Sequence, residues 1–309
     1  MKTVLSFGET LWDLLPTGPA LGGAPCNLAV RAREAGARTL LVSRVGRDPL
    51  GDRAVERLAA LGVDVRLVQR DDGRPTGTVP VKVDARGVPD FTITPDVAYD
   101  RIEATEDALA AASSADALAF GTLAQRSEAS RAALHALLDR AEGALKFLDL
   151  NLRKACWTPE TVDASLRRAN VVKLSEEEAR TLAELFRLPH EPGRALMAAI
   201  AGRWSLDGLA VTLGERGAAG LRGAERAFAP ARQTAVVDTC GSGDAFSAGF
   251  LHAWIEGLPL AEALDRGNGM GALAAAQAGG GEPLPEGWRD RLAGMRPDLR
   301  RGEGVESWL

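Results

Sequence analysis

The sequence has few of the residues that build disulfide frameworks, metal centres or membrane spans. Its three cysteines, Cys26, Cys156 and Cys240, are far apart, odd in number and outside any metal-ligand spacing, which favours reduced thiols in a cytoplasmic protein. The three histidines show no ligand spacing either. No run is long and apolar enough to cross a bilayer, and Glu9 and Asp13 interrupt the apolar start, which argues against a signal peptide.

Excess positive charge is also missing. The net charge is −5 with a pI near 5.5, and the arginines are scattered, so a nucleic-acid partner is not expected.

Two nucleotide-binding patterns are absent as well: G-x-x-x-x-G-K-[ST] does not occur, and GSGDAF has Phe246 where G-x-G-x-x-G needs its third glycine. Neither a P-loop nucleotidase nor a Rossmann dehydrogenase is supported.

From about residue 36 onward, short apolar runs alternate with longer amphipathic stretches. Strand character is found in TLLVSRVG, ADALAFGTL, ALKFLDLN, ANVVKLS and LDGLAVTLG, and helix character in DPLGDRAVERLAALG, SEASRAALHALLDRAEG and SEEEARTLAELFRL. This alternation predicts an α/β protein with a mostly parallel sheet between two helical layers. No linker or repeat interrupts it, so we expect one domain over residues 1–309.

One segment, GTVPVKVDARGVPDFTIT at residues 77–94, breaks the alternation. Apolar residues recur at every second position, a turn is predicted near residues 85–87, and no helix follows directly. The segment therefore predicts a two-stranded hairpin that projects as a small flap. Pro80 cannot donate a backbone hydrogen bond, which favours an edge strand.

The stretch VVDTCGSGDAF at residues 236–246 places a glycine loop before an apolar helix, in which Phe246, Phe250 and Trp254 share one face. Gly241 and Gly243 allow backbone amides to approach a ligand, and a helix N-terminus favours an anion. Asp244 has two interpretations at this position. It is either a helix cap or a carboxylate beside an anion site, poised to take a proton, and the motif alone leaves both open.

DTCGSGDAF resembles D-T-x-G-[AS]-G-D-x-F, the C-terminal signature of the ribokinase-like sugar kinases of the phosphofructokinase B family. GGAPCNLAVRAREAG and RVGRDPLGDRAVERLAALGVDV resemble the N-terminal signature of the same family. The resemblance covers essentially the whole chain and implies a ribokinase-like three-layer α/β/α fold with a small β-sheet lid from about residues 10–21 and 74–98. FGETLWDLLP, GGAP, YDRI and DLNLRKACW are similar to the bacterial fructokinase branch.

The resemblance implies an ATP-dependent fructokinase with Asp244 as the catalytic base and the amides of Gly241, Ser242 and Gly243 as an anion hole. For the sugar it implies a site made by Asp13, Gly22, Gly23 and Asn27. Arg153 is a further catalytic candidate. Asp149, Asn151 and Arg153 alternate after a predicted strand, so we expect them on one face, and the alternative is a surface salt bridge between Asp149 and Arg153.

For the nucleotide and its ions, the resemblance implies three groups of residues. Glu178 helps to organise Mg²⁺, although Ser175 replaces the family's asparagine and Ser175-x-x-Glu178 is also a capping box. The ATP side contains Thr212, Gly214, Gly217 and Asn268, with Gly271 and Ala272 either admitting the base or packing helices tightly. A monovalent cation such as K⁺ is expected near Asp238, Thr239 and the glycines at 279–281.

Three alternatives stay open. The substrate could be another sugar or sugar acid, such as ribose or 2-keto-3-deoxygluconate, and a sugar acid needs a cation that the sequence does not identify. A non-catalytic sugar-binding regulator is a second alternative, but the retained Asp244 and anion-hole glycines argue against it. We also expect that Val83 or Phe91 on the lid allows pairing with a second subunit, because a bare two-stranded sheet is only marginally stable.

Overall fold

The computed structural model describes residues 1–15, 18–83, 89–298 and 305–308, with the backbone alone described for strand residues 81–83 and 89–91. The first seven strands are β1 (Thr3–Phe7), β2 (Leu11–Leu15), β3 (Gly18–Gly22), β4 (Arg38–Gly46), β5 (Val68–Asp71), β6 (Gly77–Val83) and β7 (Pro89–Phe91). The remaining ones are β8 (Ala117–Phe120), β9 (Leu145–Asp149), β10 (Val171–Ser175), β11 (Gly208–Thr212), β12 (Gly217–Arg222) and β13 (Glu225–Pro230).

The helices of the described residues separate these strands along the chain. They are α1 (Ala24–Ala35), α2 (Pro49–Ala60), α3 (Glu106–Ser114), α4 (Glu128–Arg140), α5 (Pro159–Arg168), α6 (Glu176–Phe186), α7 (Arg194–Trp204), α8 (Ser242–Ile255), α9 (Leu260–Ala275) and α10 (Trp288–Gly294). All eight strand and helix segments predicted from the alternating pattern are present as elements of the predicted type.

Nine strands form the central sheet, in the order β13-β12-β11-β10-β9-β8-β1-β4-β5. Every neighbouring pair from β5 to β11 is parallel, and only the β11–β12 and β12–β13 pairs are antiparallel. Parallel strands put all their carboxyl ends at one edge of the sheet. The loops after β1, β9, β10 and β11 therefore open on the same side of the molecule.

Alternate residues of the sheet face two helical layers. Leu5 packs with the apolar sides of α3 to α7, whereas Val4 packs with α1, α8 and α9. In α8, the rings of Phe246 and Phe250 stack with centroids 5.9 Å apart, and Trp254 follows at 5.5 Å, as their spacing of four predicts. The predicted three-layer α/β/α fold is confirmed.

The second sheet has four strands in the order β3-β2-β6-β7, built from the two segments predicted to form the lid. The edge position predicted for Pro80 is wrong, because β6 lies between β2, with which it pairs in parallel, and β7. Proline is tolerated there because Pro80 faces Thr92, beyond the three β6–β7 pairs, and its carbonyl accepts from the Thr92 amide at 3.2 Å. Because Pro80 faces the β7 side at this position, its missing amide hydrogen removes no hydrogen bond between β6 and β2.

Three further expectations concern the turn of the hairpin, the pairing of two subunits and membrane-spanning segments. The turn predicted near residues 85–87 lies outside the described residues, as do the side chains of Val83 and Phe91 that were expected to pair two lids. Pairing of two subunits through this sheet stays a prediction. In the part of the chain that the structure describes, no helix has the length and apolar character of a membrane span.

Candidate active site

The glycine loop at the start of α8 brings Asp244 to the carboxyl edge of the central sheet. Gly241 is the N-cap with φ +72°, and no side chain caps this helix, so Asp244 in the first turn is not its cap. A Cβ at Gly241 would lie 2.4 Å from the Cα of Gly280, which excludes any larger residue without a backbone shift. The Thr239 carbonyl accepts from both the amide and the hydroxyl of Ser242. Of the three amides predicted to form the anion hole, those of Gly241 and Gly243 are therefore more available to a ligand than that of Ser242.

Asp244 is joined directly to the predicted sugar site. The Asn27 Nδ2 donates to Asp244 Oδ2 at 2.8 Å, although the two residues are 217 positions apart. Asp244 is only 7% exposed, and burial, followed by the nearby Asp149 carboxylate, raises its pKa above the usual aspartate value. The hydrogen bond from Asn27 opposes this rise. A carboxylate with a raised pKa is better matched to accepting a proton near neutral pH.

The other predicted sugar residues surround this pair. Asp13, at the centre of β2, lies against the end of β3, since a Cβ on Gly22 would be 2.6 Å from Asp13 Oδ2. Burial raises the pKa of Asp13 to about 6, and the Asp244 carboxylate contributes to that rise. Gly23 has φ +105° and lies against the Glu9 backbone, where an added Cβ would be 2.4 Å from the Glu9 carbonyl oxygen. Asp13, Gly22, Gly23 and Asn27 therefore converge near Asp244.

A short glycine segment, residues 279–281, forms one wall of the same region. A Cβ on Gly280 would lie 3.0 Å from Asn27 Nδ2, and a Cβ on Gly281 would lie 2.4 Å from the carbonyl oxygen of Leu21 in β3. Asp238 fastens this segment to the α8 loop, because its Oδ1 accepts from the Cys240 amide at 2.9 Å and its Oδ2 from the Gly279 amide at 3.0 Å. The predicted grouping of Asp238 with residues 279–281 is present. Occupation by a monovalent cation involving Asp238 and Thr239 remains a prediction.

Arg153 occupies a different conformation from the one predicted. Strand β9 ends at Asp149 and Asn151 has φ +42°, so the alternation expected for Asp149, Asn151 and Arg153 stops after the first of them. The alternative of a surface pair between Asp149 and Arg153 is also wrong, because Asp149 is buried and pairs with Lys173. Arg153 is exposed, and its charge opposes the rise that burial causes in the pKa values of Asp13 and Asp244, so it lies within electrostatic range of both.

Glu178 makes the capping box that its spacing from Ser175 predicts. The amide of Ser175 donates to Glu178 Oε2 at 2.7 Å, and the Glu178 amide donates to the Ser175 hydroxyl at 3.1 Å. The second carboxylate oxygen accepts from the Leu152 amide at 2.7 Å. Each oxygen still has a free lone pair, so the carboxylate can accept a further hydrogen bond or contact a cation. No cluster of three or more acidic, histidine or cysteine residues suited to a metal occurs among the described residues.

The residues predicted for the nucleotide lie around the ends of β11 and β12. Thr212 ends β11, Gly214 has φ +62° with open space around it, and Gly217 has φ +115°. Asn268 in α9 donates to the carbonyls of Ala229 and Pro230 at 2.8 and 3.0 Å, so it connects this helix to β13. Gly271 packs tightly against α8, since a Cβ would be 3.1 Å from the Ser242 carbonyl oxygen, which favours the packing interpretation for that glycine.

Sequence reasoning missed two buried charged residues. Lys173 in β10 is 7% exposed and lies under the glycine loop, where a Cβ on Gly243 would be 3.2 Å from its Nζ. Glu9 follows β1, is 3% exposed, and accepts from the Ala24 amide at the start of α1 at 3.2 Å. Burial raises the pKa of Glu9 to about 7. The signal for both was a single charged residue in an otherwise apolar run: Lys173 is the middle residue of β10, and Glu9 lies two positions after β1.

The family model for pfkB family carbohydrate kinases matches residues 17–287. The chain belongs to this family. This pfkB kinase is 34% identical over 297 residues to a fructokinase of Klebsiella pneumoniae, across 90% of its own chain and 95% of the relative. It resembles the crystal structure of a fructokinase from Vibrio cholerae O395 with bound fructose, ADP and calcium ion, with a TM-score of 0.79 and 27% identity over 92% of this chain and 96% of that one.

A shorter match is to a kinase of a different name. The kinase is 36% identical over 88 residues to a 2-dehydro-3-deoxygluconokinase of Thermoproteus tenax, which is 25% of this chain and 27% of the relative. Family membership makes this protein a phosphotransferase that acts on a sugar hydroxyl, as the glycine loop and its signature predicted. A purely sugar-binding regulator is not supported.

Proposed function

We propose that this pfkB kinase transfers the γ-phosphate of ATP to D-fructose, with Asp244 as the general base. The observation that carries the proposal is the 2.8 Å hydrogen bond between Asn27 and Asp244 at the N-terminus of α8. It supports the proposal because it joins the Asp244 carboxylate to the Asn27 amide close to the backbone amides of Gly241 and Gly243. Support for fructose comes from the fructokinase of Klebsiella pneumoniae, which aligns over almost the full length.

In this mechanism, the side chains of Asp13 and Asn27 hold the sugar hydroxyls. Asn27 Oδ1 is buried and has no hydrogen-bond partner among the described residues, so a sugar hydroxyl can donate to it. Its Nδ2 keeps one Asp244 oxygen in place and leaves the other to receive the proton of the attacking hydroxyl. The amides of Gly241 and Gly243 donate to the oxygens of the transferring phosphoryl group, over which negative charge is spread in the transition state.

Two further elements complete the proposal. Glu178 would help to hold Mg²⁺, which would supply positive charge to the phosphate oxygens of ATP when bound. The small sheet carries Asp13, and its strand β3 ends at Gly22 beside Asp13, so closure of this sheet over the sugar would exclude water from the site. Limiting the access of water reduces wasteful hydrolysis of ATP.

The test is a coupled assay of ADP release with a panel of hexoses, pentoses and sugar acids. We expect the highest kcat/KM with D-fructose. A clear preference for ribose would show that the substrate assignment is wrong, without affecting the assignment of Asp244.

A specific observation also favours a sugar acid such as 2-keto-3-deoxygluconate. Arg153 is exposed, and its positive charge acts on the carboxyl groups of Asp13 and Glu9, which supports it as the cation that a substrate carboxylate would need. If this second function holds, Arg153→Gln should raise KM for the sugar acid at least tenfold, about the value of one charged hydrogen bond, and leave KM for fructose nearly unchanged. Equal effects on both sugars would contradict it.

A further inference from the structure

Beneath the phosphoryl-binding loop lies a buried cluster of three polar side chains that the mechanism above does not use. Lys173 Nζ lies 3.1 Å from Asp149 Oδ1, and the Ser247 hydroxyl donates to Asp149 Oδ2 at 2.7 Å. Lys173 is 7% exposed, Asp149 5% and Ser247 0%. Both oxygens of Asp149 are therefore paired, one with a strand residue and one with a residue of α8.

The cluster lies directly under the residues that face the phosphoryl group. A Cβ on Gly243 would be 3.2 Å from Lys173 Nζ, so the ammonium group lies below the loop residue that precedes Asp244. Ser247 follows Asp244 by three positions and lies about one turn further along α8. The charges of Asp149 and Lys173 consequently act on Asp244 at close range and through protein rather than water.

These two charges have opposite effects on Asp244. The Asp149 carboxylate raises the pKa of Asp244, and the Lys173 ammonium lowers it. Asp244 in turn raises the pKa of Lys173, for which Asp149 is the largest stabilising charge. Five further titratable groups interact electrostatically with Asp244. They are Asp13 in β2, Glu9 after β1, Cys26 in α1, Arg153 after β9 and Cys240 before α8.

We propose that Lys173 is a positioning residue whose ammonium charge offsets the Asp149 carboxylate and so keeps Asp244 ionised and ready to accept the proton of the sugar. Asp149 in this arrangement holds Lys173 under the loop and fastens α8 through Ser247. The inference rests on the proposed role of Asp244 as the base. It differs from a role in which Lys173 contacts the transferring phosphoryl group itself.

The experiment measures the pH dependence of kcat/KM for the sugar at saturating ATP in wild type, Lys173→Met, Asp149→Asn and the double variant. Lys173→Met should move the acidic limb to higher pH by roughly one unit, because an unpaired Asp149 then faces Asp244. Asp149→Asn should move the limb in the opposite direction. The double variant removes both charges and should return the limb to within about 0.3 unit of wild type, since the two opposing effects cancel. Lys146→Met, on β9 at the amino end of the sheet, is the matched control and should leave the limb unchanged.

Each outcome decides the proposal. An acidic limb that stays fixed in all three variants would overturn it. A uniform loss of rate at every pH that the double variant does not recover would also overturn it, in favour of a direct contact between Lys173 and the phosphoryl group. If Lys173→Met does not fold, which its melting temperature reveals, the opposite shift in Asp149→Asn and its reversal in the double variant still decide the question.

The base itself is tested separately in Asp244→Asn, whose residual rate should no longer show this limb. If Asp244→Asn keeps both its rate and its acidic limb, the proposed function of Asp244 is wrong, and this result does not depend on the Lys173 variants.

Discussion

Replacing Asp244 with asparagine separates the catalytic role of this residue from its structural role. Asparagine is nearly isosteric, and its side-chain oxygen can still accept the hydrogen bond that Asn27 Nδ2 makes at 2.8 Å. It cannot accept a proton. We therefore expect kcat to fall by about 10² to 10⁴, the usual contribution of a general base, which corresponds to roughly 3 to 5 kcal/mol of barrier.

The thermal stability of the Asp244→Asn variant, unlike its kcat, should not fall. Burial raises the pKa of Asp244, so the ionised carboxylate is less favourable in the folded protein than in the unfolded chain. Above the folded pKa, removing that charge should leave the melting temperature unchanged or raise it. The sugar Kd should change little, because Asp13 and Asn27 remain in place to bind the hydroxyls.

The assay combines kcat from coupled ADP release, sugar Kd from calorimetry and the melting temperature of one purified variant. A kcat above about a tenth of wild type would refute the assignment, because it lies well outside the loss expected for a base. A large fall in melting temperature would instead show that the carboxylate is needed for folding.

Two further predictions concern the loop and the buried acid beside it. Gly241→Ala should lower the free energy of unfolding by more than Gly214→Ala, both measured in urea. Both residues have positive φ, which costs alanine about 1 to 2 kcal/mol. Only at Gly241 would the added Cβ also meet a backbone atom, Gly280 Cα at 2.4 Å. Equal losses of unfolding free energy in the two variants would contradict this packing. Because the pKa of Glu9 is raised from 4.5 to about 7, its contribution to stability is present in full below pH 4.5 and lost as pH rises through 7. Glu9→Gln should thus gain stability over wild type between pH 4.5 and 7, by at most about 3 kcal/mol, and a constant difference across this range would mean that Glu9 titrates normally.

The fold was predictable because its local signals are strong. The apolar strands and amphipathic helices from residue 36 onward have the period of their elements, and the glycine loop stands where a strand-to-helix connection needs it. For the small sheet, periodicity predicted only the hairpin of residues 77–94, with Pro80 at an edge. The part played by residues 10–21 came from the family resemblance, because the pairing of β2 with β6 joins segments more than 60 positions apart. Periodicity carries no information about such partners.

The candidate site was predictable where its chemistry is written in a motif. Asp244, the glycine loop and Asn27 belong to two signatures, and the structure brings them together. Lys173 and Glu9 belong to runs that are otherwise apolar, and only burial and distance reveal their importance. For Arg153, the strand alternation failed because Asn151 adopts a left-handed conformation, which asparagine tolerates better than most residues, and this conformation ends the extended backbone.

The wall formed by residues 279–281 has a mechanical consequence. Its backbone lies directly against the backbone of Leu21 at the end of the small sheet and against the backbone of Gly241, with no side chain between them. A side chain can absorb a small displacement by changing rotamer, whereas backbone in direct contact with backbone cannot. Movement of the small sheet over a bound sugar would therefore shift the loop that receives the phosphate. Binding of the sugar would in this way change the shape of the phosphate site.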